Sequence, residues 1–250
     1  MTNELDPRRS PPLFEGASSE RPNAPVRGPG LRETLRADAG RYIDLELHPS
    51  RLAIARALLA NEGVWPLFAY RLGRWLIAER PNTRGPRRLR HALLWAVQFC
   101  VQTVSRWLFD IRLDLRADIG PGFYVGHFKS IYVGPGVRIG RECNIGQMCF
   151  VSANGGPGGG APVIGDRVYL GVGSKVLGPL RIGSDVALGA NTVPFEDVPD
   201  MAVVVGNPAR VVSLKGSEDF ISIKKRDGAP GSDRRAPVPE KPSGGVQLQA

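Results

Sequence analysis

Residues 163–193 read VIGDRVYLGVGSKVLGPLRIGSDVALGANTV, and this stretch decides the fold. An α-helix repeats about every 3.6 residues and a strand every two, so neither gives a period of six. A six-residue repeat is typical of a parallel β-helix, in which each hexad forms one short strand and one turn around an inward aliphatic side chain. The sequence therefore predicts a mainly β fold here. The repeating aliphatic residues are Ile164, Leu170, Val176, Ile182 and Leu188.

A second series of hexads precedes this stretch. Its aliphatic positions are Ile119, Val125, Val133, Ile139, Ile145 and Val151. Small or medium residues stand four positions after aliphatic ones in both series, at Val137, Cys143, Cys149, Val168, Ser174, Val186 and Thr192. Because equivalent positions of successive coils stack into ladders, we expect these side chains to fill the core. Cys143 and Cys149 are thus predicted to be structural thiols.

One irregularity lies in residues 122–134, GFYVGHFKSIYVG. The step from Val125 to Val133 takes eight residues instead of six, and we assign the surplus to Ile131-Tyr132. The same segment contains His127, the one histidine of the repeat region. Function concentrates where a regular scaffold is interrupted, so His127 is a candidate functional residue.

The chain divides into four regions by composition. Residues 1–40 and 215–250 are rich in Pro, Gly, Arg and Ser without an apolar period, and we predict that both are disordered tails, the first of them basic. Residues 41–110 are predicted to form a small α-helical domain, and residues 111–214 the β-helix. A second irregularity of the hexads, SANGGPGGGAP at 152–162, is predicted to leave the solenoid as a glycine-rich loop.

Three helices are predicted in the helical domain. The first lies in HPSRLAIARALLA at 48–60, with Pro49 and Ser50 as its start signal. The second has an apolar face with Arg71 and Arg74 outside it. That face comprises Val64, Leu67, Phe68, Leu72, Trp75 and Leu76. The third, RLRHALLWAVQFCVQTVSRWLFD at 88–110, has an apolar run too short to span a bilayer, which needs about 20 apolar residues. We predict a buried or subunit-interface helix, with peripheral membrane contact through neighbouring arginines as the alternative.

Composition excludes several classes of protein. The net charge is +9, but no helix-turn-helix or aromatic-basic RNA-binding pattern accompanies it, so we predict no nucleic-acid partner. Three cysteines without a CxxC pair do not form a disulfide framework. The N-terminus lacks the apolar segment of a secretory signal. These features predict a cytoplasmic protein.

The hexads combine with three further motifs: EGVWPLFAYRLGRWL at 62–76, GHFKSIYVG at 126–134 and VVVGNPARVV at 203–212. Together they resemble the left-handed β-helix hexapeptide acyltransferases, and most of all serine O-acetyltransferase and its relatives in polysaccharide biosynthesis. The resemblance implies a homotrimer or a dimer of trimers, with active sites between adjacent solenoids. It also implies acetyl-CoA as donor, a hydroxyl group as acceptor, and His127 as the general base.

The resemblance extends to the donor site. It implies that backbone amides of the turn at Gly171, Gly173 and Ser174 bind the pantetheine arm of CoA, and that Lys175 and Arg210 pair with its phosphates. A metal-binding solenoid would need several histidines on its coils. With His127 alone there, we predict no metal.

The chain departs from the serine acetyltransferase pattern at three positions. Gly126 stands where the family has an aspartate, Gln147 where it has a second histidine, and Arg112 where an aspartate orients the base. Gly126 and Gln147 are predicted to line the acceptor site. The missing carboxylates leave three hypotheses: an enzyme acting on serine, an enzyme acting on a sugar or polysaccharide precursor, and a non-catalytic binding scaffold. The sugar hypothesis would use nearby rings, namely Phe123, Tyr124, Phe128 and Tyr132.

Overall fold

The computed structural model describes residues 30–43, 59–78, 86–126, 129–155 and 159–221. Three helices precede the strands in this part of the chain: α1 (Leu31–Ala39), α2 (Val64–Ala78) and α3 (Pro86–Phe109). The predicted tails fall largely outside it, at 1–29 and 222–250, and so do residues 48–58 of the helix predicted at 48–60. No helix among these residues has the length and apolar character needed to cross a membrane.

Short strands of two to four residues make up the rest of the described chain. They are β1 (Ile111–Leu113), β2 (Asp118–Ile119), β3 (Tyr124–Val125), β4 (Ile131–Val133), β5 (Arg138–Ile139), β6 (Asn144–Ile145), β7 (Phe150–Ser152), β8 (Val163–Ile164), β9 (Tyr169–Leu170), β10 (Lys175–Leu177), β11 (Arg181–Ile182), β12 (Ala187–Leu188), β13 (Val203–Val205) and β14 (Arg210–Ser213). Each hexad of the sequence thus supplies one strand.

The strands stack into three sheets that form the faces of a prism. Face A is β1-β4-β7-β10, face B is β2-β5-β8-β11, and face C is β3-β6-β9-β12-β13-β14. All pairs are parallel except β13 with β14, which is antiparallel. The regular coil length is three hexads, so Tyr132 of β4 lies beside Phe150 of β7. The predicted β-helix with preceding helices is confirmed.

The inward ladders form the core as predicted. The aliphatic residue of each hexad is buried, and so are the small residues four positions later. Cys143 and Cys149 are both fully buried. Burial raises the pKa of Cys143 to about 12, and burial also raises that of Cys149. Neither thiol ionises near neutral pH, in agreement with a structural role.

Helix α1 corrects the predicted boundary of the N-terminal tail. Residues 31–39 are helical, although Leu31 and Leu35 are the only large apolar residues among them. The helix is held by a polar contact that hydrophobic periodicity does not show. Asp38 is buried and forms an ion pair with Arg71 of α2, with Oδ2 2.8 Å from Nε.

The Asp38–Arg71 pair also joins both helices to the first coil of the solenoid. Oδ1 of Asp38 accepts hydrogen bonds from the backbone N–H groups of Gly122 at 2.8 Å and Phe123 at 3.0 Å. Arg71 donates to the carbonyls of Ile119 and Gly120. Arg71 was predicted to lie outside the packed face of its helix, and this is wrong because these partners compensate its buried charge.

The C-terminal boundary also differs from the prediction, since the packed chain continues past residue 214. Ser217 donates a hydrogen bond to the carbonyl of Arg167. Phe220 stacks on Tyr169 of face C with ring centroids 5.4 Å apart, and Ile221 is buried. Two adjacent apolar residues are enough to anchor this segment, and they are too few to produce a periodic signal in the sequence.

Candidate active site

The turns that follow the face C strands β3, β6, β9, β12 and β13 stack into one edge of the prism, and the first three of them lead into face A. Their described residues are 126, 129–130, 146–149, 171–174, 189–192 and 206–209, and we call them the C–A edge. Backbone hydrogen bonds join successive turns. Met148 N donates to Lys129 O at 3.0 Å, Gly173 N to Gln147 O at 2.9 Å, and Asn191 N to Val172 O at 2.8 Å.

The structure brings the sequence-predicted site residues together along this edge. Gly126, Gln147, Gly171, Gly173 and Ser174 lie in its turns, and Lys175 and Arg210 each directly follow one. His127 and Phe128 lie outside the described residues, between Gly126 and Lys129 of the sequence. Positions that are far apart in sequence therefore form one continuous strip.

The extra two residues lie in the first turn of the edge. Ile111 pairs with Ile131 across a separation of 20 residues, whereas the next coil pairs Tyr132 with Phe150 across 18. Ile131 and Tyr132 are therefore strand residues, and their assignment as the surplus is wrong. Periodicity reveals an insertion but not which residues form the turn.

The backbone of this turn is unusual. Lys129 and Ser130 have φ values of 115° and 56°, in the region that side chains other than glycine rarely adopt. Such conformations cluster at functional sites, where the surrounding structure enforces them.

Asp110 reaches the same turn. It directly precedes β1 and has a φ of 50°, so it does not follow the alternation of the strand. Its Oδ2 accepts a hydrogen bond of 2.9 Å from Ser130 Oγ. Asp114 instead pairs with Arg116 at 3.0 Å. Strand alternation would turn the neighbours of Arg112 to the opposite face, and Asp110 escapes this because it precedes the strand with a positive φ.

The turn at Gly171, Gly173 and Ser174 contributes to the stacking of the coils. The amide of Gly171 donates to Leu188 O at 2.8 Å, and that of Ser174 to Gly171 O at 3.0 Å. The amide of Gly173 is likewise paired within the edge. A Cβ on Gly171 would lie 2.5 Å from Leu188 O, so glycine permits the coils to stack. All three amides therefore donate to backbone carbonyls of the solenoid itself.

Face A carries an aromatic pair beside the edge. Tyr132 and Phe150 stack with ring centroids 4.7 Å apart and planes inclined by 19°. Arg112 lies next to Tyr132 in register, and Lys175 next to Phe150. Arg112 and Lys175 therefore flank the two rings on opposite sides. Phe150 was not among the rings predicted from the sequence, although its position three hexads after Tyr132 could have identified it.

The other predicted rings are placed differently. Phe123 is fully buried in the core, so its predicted availability to a ligand is wrong. Tyr124 lies on face C, where its ring centroid is 4.8 Å from that of Tyr42. The Arg41 guanidinium carbon is 5.8 Å from the Tyr124 centroid, and burial lowers the pKa of Arg41.

A cavity of about 250 Å³ lies on the face C side of the edge. Arg41 contributes to its wall and donates a hydrogen bond to Asn144 Oδ1. The remaining lining residues are Tyr124, Gly126, Ile145, Gly146, Tyr169, Val172 and Phe220. Gly126 links this cavity to the turn of His127. The described residues contain no cluster of three or more His, Cys, Asp or Glu side chains placed to hold a metal ion.

A β-helix of hexads, preceded by helices and with its candidate residues along one edge, defines the hexapeptide-repeat class. No family model matches the chain. The chain is 33% identical over 168 residues to the serine acetyltransferase of Mycobacterium tuberculosis, covering 67% of this chain and 68% of that protein. The chain belongs to the serine acetyltransferase family. The predicted acyltransferase class is thereby confirmed.

Solved structures agree with this assignment. Serine acetyltransferase of Neisseria gonorrhoeae matches with a TM-score of 0.58 at 26% identity, covering 73% of this chain and 65% of that one, slightly under two thirds. Serine acetyltransferase of Brucella abortus, solved in complex with coenzyme A, shares the fold with a TM-score of 0.58 at 24% identity. That match covers 74% of this chain and 68% of the other.

Proposed function

We propose that this chain transfers an acetyl group from acetyl-CoA to a hydroxyl group of a carbohydrate, with His127 as the general base. Family membership and the coenzyme A complex of the Brucella abortus relative support the donor. The observation that carries the acceptor is the composition of face A beside the edge. There, Arg112 stands in place of the family's aspartate, next to the stacked pair of Tyr132 and Phe150.

The chemical step is a direct transfer. The imidazole of His127 takes the proton of the acceptor hydroxyl as its oxygen attacks the thioester carbonyl carbon. The carbon–sulfur bond then breaks, and the imidazolium returns the proton to the departing CoA thiolate. One group that titrates near neutral pH can serve both steps. No covalent enzyme intermediate is required.

Asp110 is the carboxylate that we assign to orient His127. Its hydrogen bond to Ser130 places it at the turn that contains the histidine. A carboxylate hydrogen-bonded to an imidazole fixes the tautomer and stabilises the imidazolium. In this chain Asp110 would thus orient the base. In the family, an aspartate at the position of Arg112 has this role.

The charges of the side chains around the site disfavour serine as the acceptor. The ammonium group of a bound zwitterion needs a matching negative charge, because an unpaired buried charge is costly. Around the edge the described side chains include the exposed cations Arg112, Lys129 and Lys175, and the carboxylate of Asp110 is assigned to His127. The half-exposed Gln147 can donate and accept hydrogen bonds, which suits hydroxyl groups.

Replacing Phe150 with alanine should raise KM for the saccharide acceptor by about tenfold, since an aromatic contact contributes up to about 1.5 kcal/mol beyond its buried area. The KM for acetyl-CoA should stay within about twofold. Val163→Ala is the matched control, because Val163 is 39% exposed on face B and Phe150 is 41% exposed on face A. Equal effects of the two variants on acceptor KM would contradict this site.

The CoA phosphates are assigned to Lys175 and Arg210. Both side chains are exposed, and both follow turns of the C–A edge. The intervening contacts are short: Lys175 N donates to Thr192 O at 3.0 Å, and Val193 N to Gly206 O at 3.0 Å. Exposed cations on one edge suit a ligand with several phosphates.

Replacing Lys175 with alanine should therefore raise KM for acetyl-CoA by about tenfold, the loss of one charge-assisted hydrogen bond. KM for the acceptor should change little. Arg181→Ala, which removes an exposed cation from face B, is the control. An unchanged KM for acetyl-CoA in Lys175→Ala would remove this residue from the donor site.

We also propose that the active oligomer is a homotrimer or a dimer of trimers, with the site between adjacent solenoids, as the family resemblance implies. The exposure of Phe150 on face A leaves room for a neighbouring subunit to complete the site. Light scattering coupled to size-exclusion chromatography would test this, and an active monomer would contradict it.

A further inference from the structure

Helix α3 presents an apolar face to the outside. Residues three or four positions apart form this outward stripe, which runs the length of the helix. Trp107 is 85% exposed and Leu93 58% exposed. Cys100 is exposed as well. The stripe consists of Leu89, Leu93, Val97, Cys100, Val104, Trp107 and Leu108.

The side of α3 that packs against the protein is mixed, because the half-buried Leu94, Trp95 and Val101 share it with polar residues. Gln98 and Ser105 are almost completely buried. The amide of Gln98 donates to Gln102 Oε1 at 2.6 Å, and a ring nitrogen of His91 lies 3.3 Å from Leu76 O of α2. The exposed side of this helix is therefore at least as apolar as its packed side, unlike that of a surface helix in a soluble domain. An apolar patch of this kind marks an interaction surface.

The charges on α3 identify the occupant of this surface. Arg88, Arg90 and Arg106 are exposed, and the helix contains no Asp or Glu. Two copies of such a helix would bring like charges together, whereas anionic headgroups would neutralise them. We propose that α3 lies on an anionic phospholipid surface with its apolar stripe in the acyl boundary, as interfacial helices with arginine and tryptophan do.

Helix α3 leads directly to the candidate active site. Its 24 residues extend over about 36 Å, and the chain passes from Phe109 through Asp110 directly into β1. Asp110 bonds to Ser130 in the first turn of the C–A edge. A membrane-bound α3 therefore holds that turn close to the lipid surface.

Vesicle flotation with the full chain tests the proposal. We expect binding to vesicles of equal parts phosphatidylglycerol and phosphatidylcholine, and at least tenfold weaker binding to phosphatidylcholine alone. The triple variant Leu93→Ser, Val97→Ser, Trp107→Ser should lose at least tenfold in affinity for the anionic vesicles. The matched control is Phe195→Ser with Leu214→Ser, two apolar residues of similar exposure outside α3, and it should bind like the wild type.

A charge series separates headgroup attraction from apolar insertion. Each arginine near an anionic surface contributes about fivefold in affinity. Replacing Arg88, Arg90 and Arg106 singly by glutamine should weaken binding by about that factor, and added salt should weaken wild-type binding further. Equal binding to neutral and anionic vesicles would overturn the assignment of an anionic surface.

Cys100 distinguishes a membrane from a second copy of the chain. It is the exposed thiol among the three cysteines and lies within the stripe. We expect a maleimide to modify it rapidly without vesicles, at any protein concentration, and at least tenfold more slowly with phosphatidylglycerol vesicles. Protection that appears without lipid and increases with protein concentration would show that a second copy covers α3, and would overturn the proposal. Failure of the wild type to bind either vesicle would do so too.

Discussion

Replacing His127 with alanine should lower kcat by about 10²- to 10⁴-fold, the usual contribution of general acid–base catalysis. Without the imidazole, no group takes the acceptor proton or returns one to the CoA thiolate. Steady-state release of CoA thiol measures the loss. Circular dichroism and thermal unfolding should match the wild type, because the solenoid core consists of the aliphatic ladders and not of the residues of this turn.

Two further variants give this experiment its controls. His91→Ala removes a histidine at the contact between α2 and α3 and should leave kcat unchanged. Asp110→Asn should lower kcat by less than His127→Ala, because it removes the orienting charge and keeps the base. Turnover close to wild type in purified His127→Ala would exclude the assigned role.

Replacing Asp38 with alanine should lower the free energy of unfolding by about 3–5 kcal/mol, because removing one partner of a buried ion pair leaves an uncompensated charge. The side chains of Asp38 and Arg71 are 6% and 7% exposed. The change also leaves the amides of Gly122 and Phe123 without the acceptor that they have in the wild type. Urea denaturation followed by circular dichroism measures the difference.

Asp118→Ala is the matched control for this variant. Asp118 of the solenoid forms an ion pair with Arg74 of α2 at 3.0 Å, but its side chain is 72% exposed. Exposed pairs contribute about 1 kcal/mol or less. If Asp38→Ala destabilised the protein no more than Asp118→Ala does, the Asp38–Arg71 pair would not be the anchor of the helical region.

The sequence predicted the solenoid well because its structural rule is local and repeated. One aliphatic residue per hexad determines each strand, and ladder positions such as Val137 and Thr192 follow from the same count. Helix α1 could not be predicted in this way. It depends on Asp38 meeting Arg71, 33 positions later, and a single polar contact of this kind has no periodicity.

The candidate site was predictable in position and less so in detail. The eight-residue step marked the turn of His127, and equivalent turn positions placed Gln147 and Gly173 on the same edge. The role of Asp110 depends on a positive φ that breaks strand alternation, and composition does not reveal such a conformation. The Gly171 amide is paired with the next coil and the Ser174 amide within its own turn, and neither pairing is evident from the sequence.

The central claim is that the acceptor is a carbohydrate hydroxyl group. It is tested most directly by steady-state kcat/KM for CoA release from acetyl-CoA with L-serine and with a panel of nucleotide sugars and oligosaccharides. We predict a value for at least one saccharide in the ordinary enzymatic range, about 10⁴ M⁻¹s⁻¹ or more, and a value for L-serine far below it. A value of about 10⁴ M⁻¹s⁻¹ or more for L-serine, with no saccharide accepted, would contradict the claim.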